Sequence, residues 1–305
     1  MIERIELPQQ PVRPERRMGA EKSFERLKPL LKEVADDISK ELKERFGFER
    51  LINEKCVIRM DSFYNLNPER LQSDKDHVKM REMEWAGIEI PEEGKKTEQL
   101  LDPKKQERVD AENKAKVQTW LEEEERKKSK QLEMVVTILL HKAFGDKYIV
   151  VRSSKYDDYT RGVDNVIVNK ETGAIICAVD DVRENQWNDD RESGKDRVIL
   201  DKTRAGGAEL IYGFTLDANK KIKLASLDNL PIFRLGLTED EYYEIVNAIE
   251  YKSGGSNELN STEKKILDKI LASIRKQRDT LLADLEVQRQ HAVVENLKRV
   301  DELLG

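Results

Sequence analysis

Acidic residues cluster around three short apolar segments in the middle of the chain, between residues 148 and 183. Five aspartates lie between these segments or at their ends: Asp157, Asp158, Asp164, Asp180 and Asp181. Carboxylate oxygens are the preferred ligands of hard divalent cations such as Mg²⁺. If the segments are strands of one sheet, the pattern predicts a site for Mg²⁺ or Mn²⁺ where the carboxylates meet. A metal in such a site neutralises the charge that develops when a phosphodiester is cleaved.

Aspartates at strand ends also have a structural explanation, because aspartate is common in turns and as a cap. Asp164 is open to this alternative. Two tyrosines, Tyr156 and Tyr159, flank the first acidic pair. Their rings could stack on nucleobases, or they could pack the intervening loop against the sheet.

Runs of β-branched and other apolar residues predict six strands: 148–151, 163–168, 175–179, 208–216, 221–225 and 232–235. Two of the connections, NKETG at 169–173 and DAN at 217–219, are typical of hairpin turns. Both faces of the third strand are apolar, as in a sheet covered by helices on both sides. The predicted fold class is α/β, with at least part of the central sheet antiparallel.

Three long helices are predicted around this sheet. The first covers 23–46, where apolar residues recur every three or four positions, and Pro29 is expected to reset its start. The second begins at Pro103 and continues to a C-cap at Gly145, polar at first and strongly apolar later. The third covers 262–304 with near-heptad apolar spacing, which indicates a coiled-coil seam or a long helix lying across the body.

These elements divide the chain into four parts: a flexible arm at 1–20, a helical region at 21–130, an α/β core at 131–252 and a C-terminal long helix at 253–305. The core is thus expected to have a mixed central sheet flanked by helices, with long helical extensions on both sides. The C-terminal helix has three possible roles: packing within the chain, forming a homodimer, or binding a partner protein.

The composition limits the classes of function. The chain has 305 residues, of which 38% are charged and only 6% aromatic, a balance typical of long solvated helices. With 55 basic and 61 acidic residues its net charge is −6, which excludes binding of nucleic acid through a general excess of positive charge. Any contact with nucleic acid is therefore expected to be local and metal-assisted.

Cysteines and histidines point to no second chemistry. Cys177 lies in an apolar strand and is expected to be a buried free thiol, and no Cys/His cluster indicates zinc. His141 follows an apolar helical run and is expected to be packed rather than catalytic. The beginning of the sequence has no apolar signal segment and no stretch is long enough for a membrane span, so we expect a cytoplasmic protein with no membrane contact.

Over residues 131–251 the chain resembles the PD-(D/E)XK nuclease superfamily. The resemblance lies in the order of its elements: a helix, a strand, an acid that enters the second strand, and an acid-x-basic motif in the third strand. The resemblance implies a restriction-endonuclease-like core and a Mg²⁺- or Mn²⁺-dependent nuclease. It implies that Asp164 and Asp181 bind the metal and are catalytic. Glu133 in the leading helix would add a carboxylate, and Asp158 would extend the metal shell.

The chain departs from the superfamily at the motif lysine. If Asp181 is the third-strand acid, the corresponding residue is Arg183, which stabilises charge but is a poor base. If Asp180 is the acid, the position is Val182 and no function carries over. Three lysines could have taken over the role: Lys155, Lys195 and Lys202.

Three functions remain open from the sequence. The first is a metal-dependent nuclease that acts on DNA or RNA, with Arg183 stabilising negative charge. The second is a non-enzymatic scaffold that keeps a nuclease-like core and assembles through its helices. The third is an enzyme of phosphate or nucleotide metabolism that uses the same acids. The polar segment 184–207, with Trp187 as a candidate contact, could order over a substrate or be an ordinary surface loop.

Overall fold

The computed structural model of the protein describes residues 19–90, 103–183, 189–255 and 257–305. It has a mixed α/β fold in which a mixed sheet is flanked by helices, as predicted. The strands are β1 (Tyr148–Arg152), β2 (Asn165–Asn169), β3 (Ile175–Arg183), β4 (Ala208–Leu216), β5 (Ile222–Leu230) and β6 (Ile232–Leu237). The central sheet has the order β1-β2-β3-β6, and β4 and β5 form a separate two-stranded sheet.

The central sheet combines antiparallel and parallel pairing. β1, β2 and β3 are antiparallel neighbours, whereas β6 is parallel to β3, with Asp181 opposite Leu235. Parallel neighbours need a crossover connection, and here it contains a helix and the β4–β5 hairpin. Because β3 stays paired with β6 as far as Arg183, Asp180 and Asp181 lie inside the strand, not at its end as predicted.

The helices surround this sheet. They are α1 (Ala20–Phe46), α2 (Pro68–Trp85), α3 (Pro103–Glu125), α4 (Lys128–Phe144), α5 (Lys155–Arg161), α6 (Asp189–Arg204), α7 (Glu239–Ala248), α8 (Ser261–Ala283), α9 (Leu285–Gln288), α10 (His291–Arg299) and α11 (Asp301–Leu304). α4 packs on β1 and β3, α1 covers α4, and α8 packs on β6. None of the helices in the described part of the chain combines the length and apolar character that a bilayer span requires.

The predicted single helix from Pro103 to Gly145 is wrong, because the chain breaks between α3 and α4. Lys127 has an extended backbone, with φ −68° and ψ 142°. The side-chain amide of Gln131 donates to the carbonyl oxygens of Arg126 at 2.7 Å and Ala20 at 2.8 Å, which fixes the break against α1. The break separates the polar α3 from α4, which is buried along most of its length. The predicted helix end at Gly145 is confirmed.

Pro29 does not reset the start of the first helix, since α1 begins at Ala20 and continues through it. Proline has no backbone N–H, so it leaves the carbonyl oxygen of the residue four positions earlier, Glu25, without its helical donor. Both Pro29 and Glu25 are exposed, and water can satisfy that carbonyl. The predicted amphipathic character is confirmed, because the apolar positions from Phe24 to Phe46 are buried.

The predicted continuous helix over 262–304 is also wrong. α8 ends before Asp284, whose carboxylate accepts hydrogen bonds from the N–H groups of Glu286 at 3.0 Å and Val287 at 3.1 Å and so begins α9. Four of the near-heptad positions lie in or against the core of the same chain: Leu267, Leu271, Ile274 and Leu281. The expected coiled-coil seam therefore packs within the chain, which is the first of its three predicted roles.

Two segments predicted as loops are helical. Asp157 and Asp158 lie in α5, which Ser154 caps by accepting a hydrogen bond from the Asp157 N–H at 3.1 Å. The segment after β3 contains α6, and Ile199 anchors that helix in the core. Trp187, the candidate substrate contact, lies outside the described residues.

The hairpin predicted between the second and third strands is confirmed. The side chain of Asn169 accepts hydrogen bonds from the N–H groups of Glu171 at 2.8 Å and Thr172 at 3.0 Å. Gly173 has φ +68°, and a Cβ there would lie 2.4 Å from the backbone nitrogen of Leu216. The turn therefore needs glycine for its conformation and for its close approach to β4.

Both cysteines are buried free thiols, as predicted for Cys177. Burial raises the pKa of Cys56 and of Cys177 to about 12. Neither thiol forms a reactive thiolate at neutral pH, because thiolate formation requires a lowered pKa.

His141 is packed in the core, as predicted, and gives the protein a stability that depends on pH. Burial, followed by the charge of Lys170, lowers its pKa to about 4 from an ordinary value of 6.5. Between these values the unfolded chain binds a proton that the folded protein does not. We therefore expect the contribution to stability to be complete above pH 6.5 and to fall by roughly 3 kcal/mol as the pH falls towards 4. Urea unfolding across this range measures it.

The matched variant for this measurement is His141→Gln, which keeps a side-chain donor near the Tyr251 hydroxyl, 3.1 Å from Nε2 in the wild type. Its unfolding free energy should depend less on pH than that of the wild type over the same interval. Equal pH slopes for the two proteins would contradict the assignment.

Candidate metal centre

Three of the four predicted metal ligands converge although they come from different elements. Glu133 lies on α4, Asp158 on α5, and Asp164 directly before β2. One carboxylate oxygen from each lies within 4.8 Å of the other two. Three carboxylate oxygens at this spacing can coordinate a divalent cation such as Mg²⁺, Mn²⁺ or Ca²⁺. The structure therefore brings these three acids together, while their role as metal ligands and the identity of a metal stay predictions.

Asp181, the fourth predicted ligand, is buried in β3 beside this group. Its backbone N–H donates to Oδ2 of Asp164 at 2.7 Å. Its own Oδ2 accepts a hydrogen bond from Nδ2 of Asn165 at 2.6 Å, and Thr137 donates to Oδ1 of Asn165 at 2.8 Å, which orients that amide. Oδ1 of Asp181 is buried and has no hydrogen-bond partner among the described residues. A buried carboxylate oxygen without a donor is unfavourable unless a cation or a proton satisfies it.

Two cations that the sequence reasoning missed contact these acids. Nζ of Lys130 lies 2.8 Å from Oε1 of Glu133 and 3.0 Å from Oδ2 of Asp158. The Arg152 guanidinium, at the end of β1, donates to Oε2 of Glu133. Lys130 precedes Glu133 by three residues on a helix, a spacing that places two side chains together. That spacing is a signal from which this pair could have been predicted.

The group has more negative than positive charge. If all are ionised, four carboxylates (Glu133, Asp158, Asp164 and Asp181) face two cations (Lys130 and Arg152), so two negative charges remain uncompensated. Burial, together with Glu133 and Asp158, raises the pKa of Asp164 well above its usual value, against the opposing effect of Lys130. Burial and the carboxylates of Asp164 and Glu133 likewise raise the pKa of Asp181. A divalent cation has the charge that would balance the group.

Lys130 itself is held in its charged form. Burial acts to lower its pKa, but the charges of Glu133, Asp158 and Asp164 outweigh burial, and the pKa is raised above 10.5. A lysine with a raised pKa stays an ammonium group and is a poor base. Lys130 therefore suits the stabilisation of negative charge near the carboxylates.

The structure distinguishes the two third-strand acids. Asp181 contacts Asp164 and Asn165, whereas Asp180 has the opposite strand parity and is the charge that acts to raise the pKa of Lys202. Lys202 donates to the carbonyl oxygen of Arg161 at 2.6 Å, and burial lowers its pKa overall. Of the two, Asp181 is the acid that adjoins the carboxylate group.

Lys155, Arg183 and Lys195 are the other candidates for the role of the motif lysine. Lys155 lines the cleft in front of the carboxylates and lies 2.6 Å from Oε1 of Glu82. The backbone of Arg183 is in β3, but its side chain and that of Lys195 lie outside the described residues. Lys130 and Arg152 are therefore the basic residues that contact the acids in the described structure, and a role for Lys130 as the motif cation is a hypothesis.

Asp157 has a structural role and does not point to the metal group. Its Oδ1 accepts from the Ile211 N–H at 2.8 Å, and its Oδ2 accepts from the Tyr212 N–H at 3.1 Å and from the Ser154 hydroxyl at 2.7 Å. These bonds fix α5 to β4. The alternative that aspartates near the strands have structural roles is thus right for Asp157, although its neighbour Asp158 lies in the acidic group.

The carboxylates open into a cleft of about 1280 Å³. Its lining includes Asp158, Asp164, Lys130 and Arg152, and also residues of α3 and of the segment around residues 53–61. The volume exceeds the roughly 300–1,000 Å³ of typical small-molecule pockets. The space next to the acids can therefore hold a ligand larger than a typical small molecule.

Comparison with known proteins gives no relative from which a role could be transferred: no family model, no curated protein and no solved structure matches the chain.

Proposed function

We propose that the protein is a Mg²⁺- or Mn²⁺-dependent nuclease with a PD-(D/E)XK-like, restriction-endonuclease-like core. The observation that carries the proposal is the convergence of Glu133, Asp158 and Asp164 beside Asp181, whose buried Oδ1 lacks a partner among the described residues. An acidic group by itself is common in proteins. The unsatisfied buried oxygen of Asp181 adds a separate reason for a cation.

The topology agrees with the resemblance that motivated the proposal. A leading helix, α4, is followed by three antiparallel strands and then by a strand parallel to β3. Asp164 enters β2 and Asp181 lies in β3, and a hydrogen bond of 2.7 Å joins them. These are the positions that the resemblance implies for its first and second acids.

The residues present fit a divalent metal, with Glu133, Asp158, Asp164 and Asp181 as its holders. Such an ion would supply Lewis-acid stabilisation of a phosphoryl oxygen and lower the pKa of a bound water. Lys130, an ammonium group that contacts two of the acids, is placed to stabilise the charge of a phosphodiester in the cleft. Arg152 orients Glu133 from the other side, while Asn165 and Thr137 orient Asp181.

A non-catalytic scaffold is the second candidate, and one observation favours it. Lys130 and Arg152 already neutralise Glu133, so part of the acidic group is satisfied by the protein itself. Assembly through the C-terminal helix receives less support, since four of its five near-heptad residues lie in or against the core of the same chain, while the fifth, Leu285, is 71% exposed. Metal binding distinguishes the two functions.

Isothermal titration with Mn²⁺ and Mg²⁺ tests the proposal. The wild type should bind one of these metals, and Asp164→Asn should weaken binding by at least about 10-fold. Burial and neighbouring carboxylates raise the pKa of Asp164 and of Asp181, so metal affinity should increase with pH and binding should release protons. Titrations in two buffers of different ionisation enthalpy measure that release.

Asp180→Asn is the matched control, since it removes a neighbouring charge that acts on Asp164 and Asp181 but no member of the converging acids, and it should weaken binding less than Asp164→Asn does. Equal affinities of the wild type and Asp164→Asn would contradict the metal centre. Failure of the wild type to bind metal, both alone and with a non-hydrolysable phosphodiester, would favour the scaffold.

A further inference from the structure

Three aromatic rings from three different elements meet at the cleft that contains the acids. Trp85 ends α2, Trp120 lies in α3 and Tyr159 in α5. The ring centroid of Trp85 is 5.7 Å from that of Trp120 and 4.8 Å from that of Tyr159. All three residues line the cleft together with Asp158 and Asp164. The aromatic cluster and the candidate metal centre therefore share one binding space.

Trp85 keeps much of its surface in solvent. It is 44% exposed, although an indole ring is among the largest apolar groups that a fold can bury. Its neighbour Tyr159 is fixed in place, because the hydroxyl of Tyr159 donates to Oε1 of Glu82 at 3.2 Å and Lys155 binds the same oxygen. The cluster thus presents an exposed ring on a prearranged support, which is the arrangement required for stacking on a planar ligand.

The charges around the cluster argue against duplex binding through phosphates. Four lysines of the cleft lining each form an ion pair with an acid of the described structure: Lys55 with Glu125, Lys75 with Asp61, Lys127 with Glu124, and Lys155 with Glu82. A surface that holds a duplex by its backbone needs an excess of basic groups. Stacking is a contact with the face of a base, so it requires a base whose face is free, and the bases of a duplex are already stacked on one another.

We propose that Trp85, supported by Trp120 and Tyr159, is a stacking platform for an unpaired base, so that the substrate class of the cleft is single-stranded nucleic acid. The inference rests on the proposed function for the position of the phosphodiester, next to Asp164. The base contact is separate from the metal-binding acids. It can therefore be measured without cleavage.

Fluorescence anisotropy of labelled oligodeoxythymidine and oligouridine strands, alone and in duplex, tests this inference. Binding is measured for the wild type in EDTA, which prevents metal-dependent cleavage, and for Asp164→Asn with Mg²⁺, in which cleavage is expected to be strongly reduced. The single strands should bind more tightly than the duplexes. Trp85→Ala should weaken single-strand binding by roughly 5- to 150-fold, the effect of losing one base–aromatic stack, while Trp85→Phe should restore part of it. Tyr64→Ala, which removes an aromatic side chain that is 81% exposed outside the cleft, should change nothing.

An abasic strand gives a second readout that needs no variant. It keeps the phosphates and loses the rings, so it should bind the wild type as weakly as the normal strand binds Trp85→Ala. Equal binding of the abasic and normal strands, equal or tighter binding of duplexes, or binding of neither form would overturn the stacking platform.

The nuclease proposal is judged separately by metal-dependent cleavage. Cleavage that persists with a preference for duplexes would refute only the platform. Single-strand binding that depends on Trp85, with no cleavage in any metal, would leave the platform intact and refute the nuclease.

Discussion

Asp164→Asn is expected to lower metal-dependent cleavage by about 100- to 1000-fold, the usual loss when a group that stabilises transition-state charge is removed. Asp164 supplies one of the three converging carboxylate oxygens and also accepts the backbone N–H of Asp181. The oxygen of an asparagine side chain can still accept that hydrogen bond. The substitution therefore removes the charge and retains the contact. Cleavage of labelled single and double strands with Mg²⁺ and Mn²⁺ measures the loss.

The same variant is expected to have an unchanged or higher melting temperature without metal. Burial raises the pKa of Asp164, so the folded protein holds a proton there more tightly than the unfolded chain does. This contribution to stability is complete below the ordinary pKa of an aspartate and is lost as the pH rises through the raised value. Near neutral pH the ionised carboxylate is thus unfavourable in the fold, and asparagine removes that effect.

Asp157→Asn is the matched control, because it should show the opposite pattern. Asp157 accepts two backbone N–H groups and the Ser154 hydroxyl, which the single acceptor oxygen of asparagine cannot all satisfy. We expect Asp157→Asn to lower the free energy of unfolding by about 1–3 kcal/mol and to retain metal binding. A large loss of stability in Asp164→Asn, with no effect on cleavage, would reverse the two roles and contradict the metal centre.

The strands and the acids next to them could be predicted from sequence because both depend on local patterns. The NKETG turn requires Gly173 for its left-handed backbone, and the β-branched runs on either side of the turn form strands β2 and β3. Once those strands are placed, Asp164 and Asp181 must come together, since antiparallel pairing sets Asn165 opposite Val179. Local sequence therefore accounts for the meeting of Asp164 and Asp181, whereas the positions of Glu133 and Asp158 depend on how α4 and α5 pack.

The cations of the site could not be predicted in the same way. Arg152 meets Glu133 only because α4 packs across β1, and no local pattern in the sequence specifies that packing. The spacing of Lys130 and Glu133 predicts that they pair, but the charged stretch that contains Lys130 is typical of a solvated helix surface and does not indicate that the pair lies in the core. The chain break at Lys127 explains why Lys130 is not on a solvated surface. The break ends the polar α3 and starts a new helix, α4, which carries Lys130 and Glu133 into the core.

The prediction of one continuous C-terminal helix was wrong for a related reason. Near-heptad spacing specifies that a helix has one apolar face, but not which surface covers that face. Here the fold itself covers it, with Ile274 and Leu281 in the common core, and Asp284 ends the helix by capping the next one. Asp284 is a polar residue in a helix pattern with no glycine or proline, so the sequence contained only a weak signal for this end.

Arg152→Met is expected to destabilise the protein by about 3–5 kcal/mol, the usual effect of breaking a buried ion pair by removing one partner. Arg152 is 9% exposed and Glu133 4% exposed, and the substitution leaves four carboxylates facing Lys130 alone. The double variant Arg152→Met/Glu133→Gln removes the orphaned charge and should recover most of the loss. Urea unfolding of the two single variants, the double variant and the wild type completes the cycle.

Metal should also rescue Arg152→Met, and this connects the fold to the proposed function. The variant has one more uncompensated negative charge than the wild type, so a saturating amount of Mn²⁺ should raise its melting temperature more than that of the wild type. Arg81→Met is the control for an exposed ion pair, because Arg81 and Glu84 lie 3.1 Å apart in solvent. Loss of this pair should change the free energy of unfolding by less than about 1 kcal/mol, and metal should not alter that change. Two results would contradict the proposed metal centre: Arg152→Met as stable as the wild type, or metal raising both melting temperatures equally. Either result would mean that the acids and cations do not interact as one electrostatic unit.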